Sequence, residues 1–126
     1  MNADGSNARQ ISYHEKGVHG FLFSPDEKHI LFIGNVKYSE KASDLYPDLD
    51  KATGRVIDDL MYKHWDEWVE EIPHPYIASF DGKQLTDITD IMEGEPYESP
   101  MKPFGGIESF AWTPTSILLH STTTTK

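Results

Sequence analysis

The sequence predicts an all-β fold assembled from a repeated antiparallel unit, and three observations carry that prediction. One phrase occurs twice. Its first statement is Asp4-Gly5, then Arg9-Gln10-Ile11-Ser12, then Phe21-Leu22-Phe23-Ser24-Pro25-Asp26, then the apolar run Ile30-Leu31-Phe32-Ile33. Its second is Asp81-Gly82, Lys83-Gln84-Leu85-Thr86, Phe110-Ala111-Trp112-Thr113-Pro114-Thr115 and Ile117-Leu118-Leu119. Each statement also carries hairpin chemistry: Asp-Gly supplies the positive φ of a tight turn, and Pro presets φ in the next one. Finally, the run from Ile30 to Ile33 suits a strand buried on both faces. A repeat of this size marks an array of small sheets, none able to cover its own faces alone. The chain is therefore expected to be a piece of a larger ring.

Taken in order, strands are expected at residues 8–13, 18–23 and 29–34. Residues 35–73 break the pattern and form an insert. Val56, Leu60 and His64 share one helical stripe, with Ile57, Met61, Trp65 and Trp68 beside it, so a short helix is expected over residues 53–63. Residues 65–69 extend that helix or turn into a strand, and Ile72-Pro73-His74-Pro75 stops either one. Strands follow at 75–80 and 83–87. Residues 88–106, dense in Pro and Glu, read as a long loop. Strands at 107–112 and 116–120 complete the second unit, and residues 121–126 form a low-complexity Ser/Thr tail. The chain is expected to start and stop inside repeat units.

Composition narrows the function. The formal charge is −10, from 21 acidic against 11 basic residues. This argues against a nucleic-acid partner, which calls for a basic footprint, and against an anionic membrane surface. There is no cysteine, hence no disulfide framework and no thiolate chemistry. No apolar run approaches the ~20 residues of a membrane span. The opening residues do not read as a secretory signal, and the compartment is not readable from the sequence.

The repeat phrase resembles that of TolB-like β-propellers and of the N-terminal propeller of prolyl oligopeptidase-family serine peptidases. The stretch Tyr62-Lys63-His64-Trp65-Asp66-Glu67-Trp68, followed by Leu85-Thr86, is similar to the dipeptidyl-peptidase and acylaminoacyl-peptidase branch. The phrase departs from that pattern at Trp112-Thr113-Pro114-Thr115, where Trp-Ser-Pro-Asp is expected. The resemblance implies a partial β-propeller of about one to two blades over residues 1–126. It also implies a role in capping and gating peptide access to a hydrolase domain absent from this chain. The implied partners are that domain, the remaining blades and the peptide substrate. The alternative is a TolB-like protein-binding module without enzymatic activity. An isolated piece is expected to self-associate.

Catalytic chemistry is sparse. The nucleophile elbow Gly-x-Ser-x-Gly does not occur in the sequence, so no catalytic residue is expected here. His14-Glu15-Lys16-Gly17-Val18-His19 misses the zinc-protease spacing by one position, which on a helix places the rings ~140° apart. The acidic residues 44–59 lack the ligand and Gly positions of a calcium loop. No cofactor motif is found. The resemblance makes Glu70 and Glu71 candidate ligands for a substrate's amino terminus, since two carboxylates suit an ammonium. Their flanks do not match the family, and consecutive strand residues face opposite ways, so solvent-facing carboxylates are the competing reading. Trp65, Trp68 and Trp112 are a candidate platform, with packing in the blade core or between blades favoured.

Overall fold

A computed structural model describes residues 1, 3–58, 63–115 and 118–120; for 118–120 only the backbone is considered. The elements are β1 (Gly20–Phe23), β2 (His29–Lys37), α1 (Ala42–Leu45), β3 (Lys63–His64), β4 (Glu67–Trp68), β5 (Glu71–Phe80), β6 (Leu85–Asp90), a 3-10 turn (Ile107–Ser109), β7 (Phe110–Trp112) and β8 (Leu118–His120). The expected all-β class is present. Its main body is a four-stranded antiparallel meander in the order β1-β2-β5-β6, with β3-β4 and β7-β8 as separate hairpins. The meander is open, and the described residues form no closed ring.

Strand alternation gives the central strand β2 two apolar faces. Ile30 and Phe32 lie opposite Ala78 and Tyr76, and Leu31 lies opposite Ile77. One face gathers Ile30, Phe32, Tyr76 and Ala78, with Ile11, Val36, Phe80 and Leu85 packed around them. The other gathers Leu31, Ile33 and Phe110, with Leu22, Ile77, Ile107 and Trp112. Burial of a side chain such as Leu31 or Phe32 is worth about 1.5–3 kcal/mol. Against that scale the exposed ion pairs, at about 0–1 kcal/mol each, are secondary.

The turns form as their residues dictate. Gly5 and Gly82 both take positive φ, 84° and 83°, which a side chain would oppose. The Asp4 carboxylate accepts from the Ser6 amide, and Asp81 accepts from the Lys83 and Gln84 amides. In the Ser24-Pro25-Asp26 turn, Ser24 is buried and its hydroxyl donates to Asp26 at 2.6 Å.

Four expectations are corrected. Residues 8–13 form no strand. They cross the first face as an extended segment, with the Ile11 carbonyl accepting from Leu85 N at 3.0 Å and Arg9 bonding Gly82 O. Residues 53–58 are not helical and Lys63 begins β3, while 59–62 of the expected helix lie outside the described residues. Gly54 weakens a helix there, and Arg55 is bridged to Lys41 instead. The helix that does form, α1, lies earlier and is started by Lys41 N donating to Asp44.

Pro73 and Pro75 do not stop a strand. β5 runs through both from Glu71. Their carbonyls accept from Ser99 N and Ile91 N, on the side away from β2. The missing amides therefore fall where β6, ending at Asp90, no longer pairs, which is where a strand tolerates Pro. Finally, β6 reaches Asp90 rather than residue 87. It contains a bulge where Asp87 takes φ 50°, with two β6 residues facing one of β5.

Candidate functional site

The candidate carboxylates sit where β5 begins, beside the end of β2. Tyr38 N donates to Glu70 O, which fixes the backbone there. Glu70 stands in the bend before β5 and Glu71 is the first residue of that strand, and the two side chains have separate partners. Glu71 takes Lys16 at 2.7 Å on one oxygen and the Asn35 amide at 3.2 Å on the other. Glu70 takes Arg55 at 2.7 Å and Lys41 at 2.8 Å. Lys41 hydrogen bonding, and then Arg55, hold the Glu70 carboxyl below the usual range against a burial effect of opposite sign. Lys16, and then Asn35, do the same for Glu71, opposed by burial and by the neighbouring Glu70 charge. Both groups are thus anionic and matched by cations of this chain. They tie the insert and residue 16 to the head of β5.

Aromatic groups border this cluster. The Arg55 guanidinium lies 4.6 Å from the Trp68 ring centre, and the Lys63 ammonium lies 5.1 Å from it. Trp65 and Phe104 are 78% and 85% exposed and meet edge to face at 6.4 Å. The three tryptophans therefore divide. Trp112 packs against the second apolar cluster. Trp65 and Trp68 are surface groups of this segment, so of the two placements expected from sequence they do not take the one in the blade core. A cavity of about 200 Å³ opens nearby, lined by His19, Ile33, Asn35, Pro73, Lys102 and Ile107 among others. Asn35 joins it to Glu71.

The zinc-like histidines separate. His14 packs edge-on against Phe32 and Tyr76 on the first face, while His19 lines the cavity. Among the described residues no three metal-ligating side chains stand together. Ser24, Asp26 and His29 meet in one turn, but Ser24 donates straight to Asp26, and the nearest His29 ring nitrogen is 4.0 Å from that carboxylate. A nucleophile requires its base between the two, so this is turn stabilisation.

Sequence reasoning missed one polar cluster. His74 is 2% exposed, and its Nδ1 lies 2.9 Å from Asp90 Oδ2. Asp90 also accepts from Met92 N. Burial, then the Asp90 charge and hydrogen bond, push the Tyr76 hydroxyl up from its ordinary value. The available signal was strand alternation, which places residues 74, 76 and 78 on one face. It was hidden by reading Pro73 and Pro75 as a stop.

Comparison with known proteins adds a relationship. Over 98 residues, 78% of its length, the chain is 64% identical to dipeptidyl-peptidase 5 of Porphyromonas gingivalis. Over 111 residues, 88% of its length, it is 46% identical to dipeptidyl-peptidase 5 of Porphyromonas endodontalis. It spans 14% and 16% of those two proteins. These similarities support a dipeptidyl-peptidase relationship, with the chain corresponding to a small part of such a protein. No family model matches the chain, and no solved structure matches it. No helix among the described residues is long and apolar enough to cross a membrane.

Proposed function

We propose that this chain is part of the β-propeller of a dipeptidyl peptidase of the serine type, and that it caps and gates peptide access to a hydrolase domain carried elsewhere in the polypeptide. The observation that carries the proposal is the 64% identity to a small part of a dipeptidyl-peptidase 5. The four-stranded meander supports it, being the architecture of a propeller blade. The catalytic groups lie outside this segment, and its contribution is shape and substrate contact.

Within this reading Glu70 and Glu71 have two roles. They anchor the insert through Lys16, Lys41 and Arg55. They also offer a carboxylate pair to a substrate ammonium, which binds by exchange with one of the two lysines, cation for cation. The test is an assay of the full-length protein on chromogenic dipeptide substrates, with and without a serine-reactive inhibitor. Inhibitable dipeptide release from short peptides, and none from a folded protein bearing the same N-terminal residues, is the expected outcome. Absence of dipeptide release from short peptides removes the peptidase reading. Equal release from both substrates removes the gating role.

A further inference from the structure

The internal repeat assigns an occupant to an exposed aromatic patch on the sheet. Val18, Phe21 and Phe23 hold the same places in the first statement of the phrase as Ile107, Phe110 and Trp112 hold in the second. The second trio is packed. Phe110 is 5% exposed in a cluster with Leu31 and Ile33, and Ile107 and Trp112 pack against that cluster. The Trp112 indole donates to Leu22 O at 3.4 Å. Gly20 makes room for the approach, since a Cβ there would meet the Ile107 Cβ at 3.0 Å.

The first trio is exposed. Val18, Phe21 and Phe23 are 41%, 59% and 40% exposed. In register Phe21 and Phe23 lie opposite Phe32 and Ile30, at the margin of the first apolar face. Their ring contacts are with each other, centres 6.0 Å apart, and between Phe23 and Phe80 at 5.4 Å. The described residues thus show the same three positions once seated on an aliphatic sheet face and once left largely open, with Phe80 against one side of Phe23.

We propose that Val18, Phe21 and Phe23 dock onto the aliphatic face of another antiparallel sheet of the same repeat, carried elsewhere in the same polypeptide. A second copy of this segment is the poorer occupant. Its corresponding face, built on Leu31 and Ile33, is already covered by its own Ile107, Phe110 and Trp112. The inference rests on the repeat-array part of the function proposed above and not on the peptidase part.

Hydroxyl-radical footprinting of the unmodified full-length protein tests it, read by peptide mass spectrometry, with the same protein in denaturant as reference. Phe21 and Phe23 are expected to react at least about ten-fold more slowly in the native protein, alongside Phe110, at every protein concentration. Rates within about two-fold of the denatured protein would overturn the proposal. So would protection that grows with protein concentration, which would give the patch to a second copy. Dipeptide release measured on the same sample separates the two readings. Active protein with unprotected Phe21 removes only this inference, and inactive protein with protected Phe21 removes only the peptidase.

Discussion

The imidazole of His14 lies directly over Gly34: a methyl group on that glycine would collide with the ring's Nε2 and Cδ2. The ring is held there by Phe32 at 5.5 Å and Tyr76 at 4.8 Å between centres. Gly34 therefore provides the space that lets residues 11–14 cover the first face of the sheet. Gly34→Ala is expected to destabilise the full-length protein by about 1–3 kcal/mol through overpacking. His14→Ala relieves the collision, so the double variant should cost less than the sum of the two single changes. Denaturant unfolding of all four proteins measures this. Strict additivity would show that the two residues do not press on each other.

Tyr76 gives an alkaline signature. Its hydroxyl titrates above its ordinary value because it is buried and faces Asp90. A raised pKa in the folded state means a contribution that is complete below the unfolded value of about 10 and is lost as pH rises through the folded one. Tyr76→Phe should cost about 1 kcal/mol at pH 7, the worth of one hydrogen bond. It should also make the decline in stability above pH ~10 shallower. Parallel alkaline limbs for the two proteins would remove Tyr76 as the source.

Glu70 and Glu71 give the opposite signature. Their pKa values are lowered on folding, so their contribution is present above the unfolded value of about 4.3 and fades as pH falls through the folded ones. The pairs are partly exposed, and each is worth about 0–1 kcal/mol. Glu70→Gln with Glu71→Gln should therefore weaken the fold modestly at pH 7 and match the wild type near pH 3. A gap that persists at low pH would point to packing rather than charge. In a peptidase assay, a KM raised about ten-fold or more with kcat retained would identify the pair as an ammonium ligand. An unchanged KM would leave it as the anchor of the insert.

Produced alone, the 126-residue segment is expected to associate as its concentration rises, because the Val18, Phe21 and Phe23 patch then lies open to water. Light scattering should show the effect, and Phe21→Ser with Phe23→Ser should reduce it. A wild-type segment that remains monomeric at every concentration would show that the patch needs no cover.

The sequence disclosed the sheet better than the site, for physical reasons. Strand β2 was legible because Ile30, Leu31, Phe32 and Ile33 have no polar neighbour to suggest another period. The Asp-Gly turns were legible because few residues other than Gly accept their φ. Residues 53–58 misled because a helical stripe of apolar residues carries no sign that Arg55 will pair with Lys41 and Glu70, which are distant in sequence. Glu70 and Glu71 were visible as a pair, but Lys16, Asn35, Lys41 and Arg55 reach them only through the fold. His74 was lost with the first residues of β5, because a Pro-x-Pro stretch reads as a stop unless one knows which side of the strand is free.

That free side has a consequence of its own. Beyond the end of β6, the outer margin of β5 presents carbonyl groups at Pro73 and Pro75 without the alternating amides that a newly arriving strand must also find. Both carbonyls are already taken by Ser99 and Ile91. An incoming chain of another molecule can neither extend the ladder nor use this margin to nucleate a fibril. Strand pairing with another chain is thus closed along this margin and left to the edge strands β1 and β6.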